Sequence, residues 1–90
     1  MSEEAAPERI AVLWSPEARA ELRAIDRDTA IDLRHGLARF VATEEGDVKR
    51  LQDVDPPLYR LRAQDHRVIF RDFGSHIEVM RVKNRRDAYR

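Results

Sequence analysis

The sequence predicts an α+β domain: an N-terminal strand and a two-helix hairpin, followed by an antiparallel three- to four-stranded sheet. Three observations carry this reading. Apolar residues recur at helical spacing between Pro16 and Val41, the period falls to two beyond Gly46, and short turn sequences separate the later apolar runs. Ninety residues is the size of one small domain, so 1–90 is read as a single unit, with residues 1–8 expected to be flexible.

Residues 9–14, RIAVLW, form a short apolar run rich in β-formers. Ser15, Pro16 and Glu17 then supply an N-cap, a first-turn proline and an early acid, so the strand hands over to a helix. Ala18, Leu22 and Ile25 recur at i, i+4 and i+7 on one face of that helix, which leaves Arg19, Glu21 and Arg23 for solvent. Residues 26–29 break and restart the helix, with Asp28 expected as the second cap. Leu33, Leu37, Phe40 and Val41 continue the apolar stripe, and Gly46 is expected to end the helical region. Val48 and Leu51 open the fourth strand of the larger count, and Pro56-Pro57 mark a loop. Leu58–Ala63, Arg67–Asp72 and His76–Lys83 read as three strands joined at Gln64-Asp65 and Gly74-Ser75, links short enough to require antiparallel neighbours. Trp14, Phe40 and Phe70 lie in apolar runs and are assigned to the core.

Hydrophobic residues make up 42% of the chain and charged ones 38%, which suits a thin core under a heavily solvated surface rather than disorder. The absence of cysteine excludes a disulfide framework and a cysteine-based zinc site. The first residues, MSEEAAPE, lack the basic start and apolar run of a secretory signal, and no segment approaches membrane-spanning length, so a soluble cytoplasmic protein is expected. The formal net charge is zero, yet residues 1–46 hold 6 basic and 10 acidic side chains while residues 47–90 hold 11 and 7. A basic half of this kind attracts phosphate or an acidic protein through its local field even when the whole molecule is neutral.

Alternation along the later strands sharpens that field. Tyr59 and Leu61 are expected on one side of the sheet with Arg60 and Arg62 on the other, and Val68 and Phe70 in the core send Arg67, Ile69 and Arg71 to the opposite side. Neighbouring like charges on a sheet are unfavourable unless carboxylates or a bound anion offset them. Pairing with Asp65, Asp72 or Glu78 is the structural way to offset them, and a bound phosphate is the functional one.

Residues 58–90, LYRLRAQDHRVIFRDFGSHIEVMRVKNRRDAYR, resemble the second half of RelE/ParE-superfamily toxins, and the likeness extends more weakly back to residue 9. A Tyr-Arg-Leu-Arg strand, an Arg-Val-Ile-Phe strand, a further strand and a closing Arg, acid and Tyr occur in that order. The resemblance implies a type II toxin that cuts messenger RNA in the ribosomal decoding site without a cofactor or metal. It implies catalytic roles for Arg62, Arg67, Arg85 and Tyr89, and RNA binding by Lys49, Arg50, Arg60, Lys83 and Arg86. The implied partners are a cognate antitoxin, the ribosome and mRNA. The free toxin is expected to be a monomer, and the antitoxin complex a hetero-oligomer.

In this scheme Tyr89 is the base, its phenol made more acidic by neighbouring guanidiniums, and Arg67 and Arg85 grip the scissile phosphate. Arg62 steadies the leaving oxygen, whose proton comes from solvent or His66. His35 and His76 are read as structural or surface residues, and none of the three histidines has metal-ligand spacing. The sequence departs from the family in three respects: arginine stands at 60 and 62 where relatives often carry lysine, Lys83-Asn84 stands where relatives frequently have a glycine and another polar residue, and the whole chain is neutral rather than strongly basic. Two alternatives stand beside this reading: a ParE-like toxin that uses the same fold to block DNA gyrase without catalysis, and, motivated by the neutral charge and the arginines at 60 and 62, a member that only binds a partner.

Overall fold

The computed structural model describes residues 11–52 and 55–84, and within them seven elements follow one another. They are β1 (Ala11–Trp14), α1 (Pro16–Ala24), α2 (Arg27–Thr43), β2 (Asp47–Gln52), β3 (Leu58–Ala63), β4 (His66–Asp72) and β5 (His76–Asn84). The sheet has five strands in the order β1-β5-β4-β3-β2. The four later strands form the expected antiparallel meander, and β1 joins it parallel to β5, with Ala11 beside His76 and Trp14 beside Val79. The expected α+β architecture is therefore present, with the N-terminal strand completing the sheet.

Local chemistry explains the helix boundaries. Ser15 caps α1 twice over: its Oγ accepts the Ala18 N–H at 3.0 Å and donates to the Met80 carbonyl at 2.8 Å, which ties the helix start to β5. The second cap is Asp26 rather than the expected Asp28. Asp26 has the extended backbone a cap requires, and its carboxylate accepts both the N–H and the hydroxyl of Thr29, whereas Asp28 falls inside the first turn. Nor does Gly46 end α2. The helix stops at Thr43, where Glu44 turns left-handed at φ 62° and returns its N–H to Phe40. Gly46, at φ 137°, instead leads the chain into β2, and a Cβ there would come within 3.3 Å of Leu61.

The core lies between the helices and one face of the sheet. Ala18, Leu22, Leu33, Leu37 and Phe40 meet Leu61, Val68, Phe70, Ile77, Val79 and Val82. Phe70 is fully buried, with Phe40 and Tyr59 at ring-centroid distances of 5.4 and 5.6 Å. Trp14 is half-buried and packs against this cluster.

Candidate nucleic-acid interface

Because Tyr59, Leu61, Val68 and Phe70 face the helices, alternation sends Arg60, Arg62, Arg67, Ile69 and Arg71 to the uncovered side of the sheet, as the sequence implies. The register then builds rows of side chains across the strands. In one row Asp47, Arg62, Arg67 and Lys83 stand side by side, and in the next Lys49, Arg60 and Ile69 do so. A third row sets Leu58, Arg71, Glu78 and Leu13 together. Lys49, Arg60, Arg62, Arg67, Arg71 and Lys83 thus share a surface on which Asp47 and Glu78 are the facing acids.

Two of these arginines have visible partners. Arg60 is largely sheltered and lies 4.0 Å from Asp47, and Arg71 donates to the Pro56 carbonyl at 3.3 Å across from Glu78. Arg62 is exposed, directly opposite half-buried Arg67, and has no ion pair of its own among the described residues. Of the acids expected to pair here, Glu78 faces Arg71 across the strands. Asp72 turns its carboxylate to the Gly74 N–H, and Asp65 sits in the turn that lines a small cleft with Arg62, His66 and Arg67. Arg62 and Arg67, opposite each other on adjacent strands, both line this cleft, and Arg67 has an interaction of its own; planar guanidinium donors are of the kind that suits a phosphate.

Other site candidates lie elsewhere. Arg50 alternates to the opposite side, across from Tyr59. Arg85, Arg86 and Tyr89 lie outside the described residues. His66 is buried at the edge of that cleft, and neither ring nitrogen has a hydrogen-bond partner among the described residues. His35 is exposed, and His76 stacks on Phe73. Among the described residues no group of histidines and acids is arranged to hold a metal, and no helix is long and apolar enough to cross a membrane.

Sequence reasoning left Glu21 to solvent, but it does more. Beyond Trp14, β1 no longer covers β5, and α1 lies against the bared edge. There Glu21 accepts the Val82 N–H at 2.7 Å and two bonds from the Arg81 guanidinium, at 3.0 and 2.6 Å. Burial would raise the Glu21 carboxyl, but these bonds and the charges of Arg81 and Lys83 outweigh it and hold the group below its ordinary value. Arg81 is accordingly committed to the edge, apart from the open-face cations. The signal was a carboxylate six residues after an N-cap, and nothing local to it names a strand sixty residues away.

A second surface lies on the helical side. Leu22, Ile25 and Ile31 line a groove of about 450 Å³ between α1 and α2 together with Arg23, Arg27 and Arg34. Arg34 also borders a smaller groove formed by Val12, Trp14 and Leu37 beside β1.

A family model described as ParE toxin of type II toxin-antitoxin system, parDE, matches residues 12–89. Among solved structures, the archaeal RelE-RelB complex from Pyrococcus horikoshii OT3 superimposes with a TM-score of 0.70 at 21% identity, covering 89% of this chain and 97% of that one. The YoeB dimer from Staphylococcus aureus gives 0.67 at 18%, covering 83% and 95%. The chromosomal ParDE system from P. aeruginosa gives 0.57 at 17%, covering 88% and 98%. No curated protein matches the chain.

Proposed function

Because the chain belongs to the ParE toxin family of type II toxin-antitoxin systems, we propose that this toxin arrests growth by cutting messenger RNA on the ribosome. The observation that carries the proposal is the opposition of Arg62 and Arg67 on an uncovered sheet face that also holds Lys49, Arg60 and Lys83. Such a face gathers phosphates, and a guanidinium pair stabilises the charge that grows on phosphorus during cleavage.

In the proposed reaction the RNA's 2′-hydroxyl attacks the adjacent phosphorus. A 2′,3′-cyclic phosphate forms, the bond to the 5′-oxygen breaks, the hydroxyl proton passes to the Tyr89 phenolate, and solvent protonates the leaving oxygen. Arg67 and Arg85 hold the phosphate, and Arg62 offsets charge on the departing oxygen. Arginine keeps its proton at any relevant pH, so its part is electrostatic. Lys49, Arg60, Lys83 and Arg86 are assigned to the RNA strand on either side, and Arg50, on the opposite side of the sheet, is left out of that set.

A cognate antitoxin is the partner this family implies. Its docking surface is assigned to the groove between α1 and α2, where an apolar lining beside three arginines suits an acidic amphipathic helix.

The family match also favours a second reading, a ParE-like block of DNA gyrase that needs no reactive tyrosine. One experiment separates the two. Purified toxin is incubated with programmed ribosomes and, in parallel, with gyrase and relaxed plasmid, alongside Tyr89→Phe and Arg62→Ala. Messenger RNA cut in the decoding site by wild type and spared by both variants supports the nuclease. Intact messenger RNA with lost supercoiling in wild type and Tyr89→Phe supports the gyrase reading.

A further inference from the structure

Of the three phenylalanines, Phe40 and Phe70 are buried in the core, but Phe73 is 44% exposed. It stands at the tip of the β4–β5 hairpin with its ring 4.8 Å from that of His76 and nearly parallel to it, at 12°. The hairpin fixes this stack. The Phe73 N–H donates to the His76 carbonyl at 2.9 Å, the Gly74 N–H donates to the Asp72 carboxylate at 2.8 Å, and the Ser75 hydroxyl lies 3.2 Å from His76 Nδ1. Gly74 makes the turn at φ +90°, where a side chain is disfavoured. An exposed aromatic ring gains little for folding, and this one lies face to face with another.

Its position supplies the reason. Ile77 and Val79 face the core, so His76 and Glu78 face the open side, and Phe73 continues the series Arg67, Ile69 and Arg71 on that same side. The Arg62–Arg67 pair therefore occupies one end of the face and the aromatic stack the other, about 20 Å away along β4, with Arg71 and Arg60 between them. Cations that track a phosphate chain, leading to an aromatic surface on which a base stacks, are the two parts from which single-strand sites are built.

We infer that the Phe73–His76 stack is a platform for one unpaired base of the RNA, several nucleotides from the phosphate held at the Arg62–Arg67 end. The inference rests on the RNA-cutting reading and adds a second anchor to it. A strand gripped at both ends is pulled straight across the face, which fixes the scissile bond in register with the guanidinium pair. Leu13, half exposed beside Glu78, gives the platform an apolar flank. The row of cations selects a polyanion over an apolar peptide as its occupant.

The test measures binding of short single-stranded RNAs, each lacking one base at a different position, to the full-length toxin and to Phe73→Ala, Phe73→Trp and Arg62→Ala. One abasic position should cost the wild type about tenfold in affinity. Phe73→Ala should lose the same factor with the intact strand and nothing further with that abasic strand, and Phe73→Trp should retain wild-type behaviour. The exposed position leaves the fold intact, which an unchanged melting temperature checks. If Phe73→Ala binds every strand as wild type does while Arg62→Ala binds weakly, the platform is wrong and the RNA reading stands. Absence of RNA binding by the wild type overturns the platform, and absence of cleavage in programmed ribosomes as well overturns both. Loss of antitoxin binding in Phe73→Ala with RNA affinity intact assigns the stack to the protein partner and overturns the inference.

Discussion

The two faces of the sheet come from the same alternation along the same strands, yet they answer to different demands. On the helix side Leu61, Val68, Phe70, Ile77 and Val79 are buried against α1 and α2. On the other side the same strands carry Arg60, Arg62, Arg67 and Arg71, with Arg62 set against Arg67 across adjacent strands. Burial accounts for the first face entirely. The second sets like charges side by side, a cost that a bound anion would offset. Substitutions on the helix face should therefore read out in stability, and substitutions on the open face in activity.

The largest effect is expected at Phe70, which is fully buried between Phe40 and Tyr59. Phe70→Ala should cost about 3–5 kcal/mol by thermal or denaturant unfolding, because neighbouring rings cannot close the space it leaves. A loss under about 1 kcal/mol would mean that this face is loosely packed, and the contrast between the faces would fail.

Next in size is Glu21, which belongs to neither face but seals the β5 edge between them. Glu21→Ala leaves the Val82 N–H without its acceptor and Arg81 without its partner, at a cost of about 1–3 kcal/mol. This contact also carries a pH signature. The folded protein holds the Glu21 carboxyl below its ordinary value, so its contribution is complete above the unfolded-state pKa and is lost as the pH falls through the lower, folded-state value. The melting-temperature gap between wild type and Glu21→Gln should thus be widest near neutrality and narrow as the pH falls below the ordinary glutamate range. A gap that stays constant on acidification would show that the carboxylate charge contributes nothing.

Ser15→Ala should follow at about 1 kcal/mol, since the hydroxyl both caps α1 and reaches the Met80 carbonyl. Its effect belongs with the helix face: melting temperature should drop while RNA cleavage by the folded protein is unchanged.

How much of this was legible in the sequence depended on how far each signal reaches. Alternation in LYRLRA and HRVIF is local, so both faces of the central strands could be read before the structure was known. The Ser15 cap was also local. Asp26 and Asp28 are two equivalent side chains two residues apart, and only the backbone angle at Asp26 decides between them. The same holds at the end of α2, where Glu44 takes the left-handed turn that glycine ordinarily supplies. Pairings between distant segments left no local trace. The docking of β1 against β5 and the closure of the edge by Glu21 join residues some sixty positions apart. His66 begins a strand in a polar stretch, and nothing in its sequence neighbours signals its burial. Within the candidate site, Arg60, Arg62 and Arg67 were legible as one surface, but the aromatic stack was not, because nothing local to Phe73 and His76 shows that the turn at Gly74 brings their rings together.

The smallest stability effect is expected at Arg62, and its smallness is the sharpest form of the contrast. The side chain is exposed, opposite Arg67, and without an ion pair among the described residues. Arg62→Gln removes one charge from a crowded row while keeping a long polar side chain on the strand. Unfolding should change by no more than about 0.5 kcal/mol, with a gain favoured over a loss because a like-charge neighbour is relieved. Added salt should erase that gain by screening the remaining cations. RNA affinity, by contrast, should fall and its dependence on salt concentration should flatten by about one unit of slope, as loss of a single phosphate contact requires. If Arg62→Gln instead destabilises the fold by as much as Ser15→Ala while RNA affinity holds, Arg62 contributes structure rather than recognition. The open face would then need no ligand to explain it.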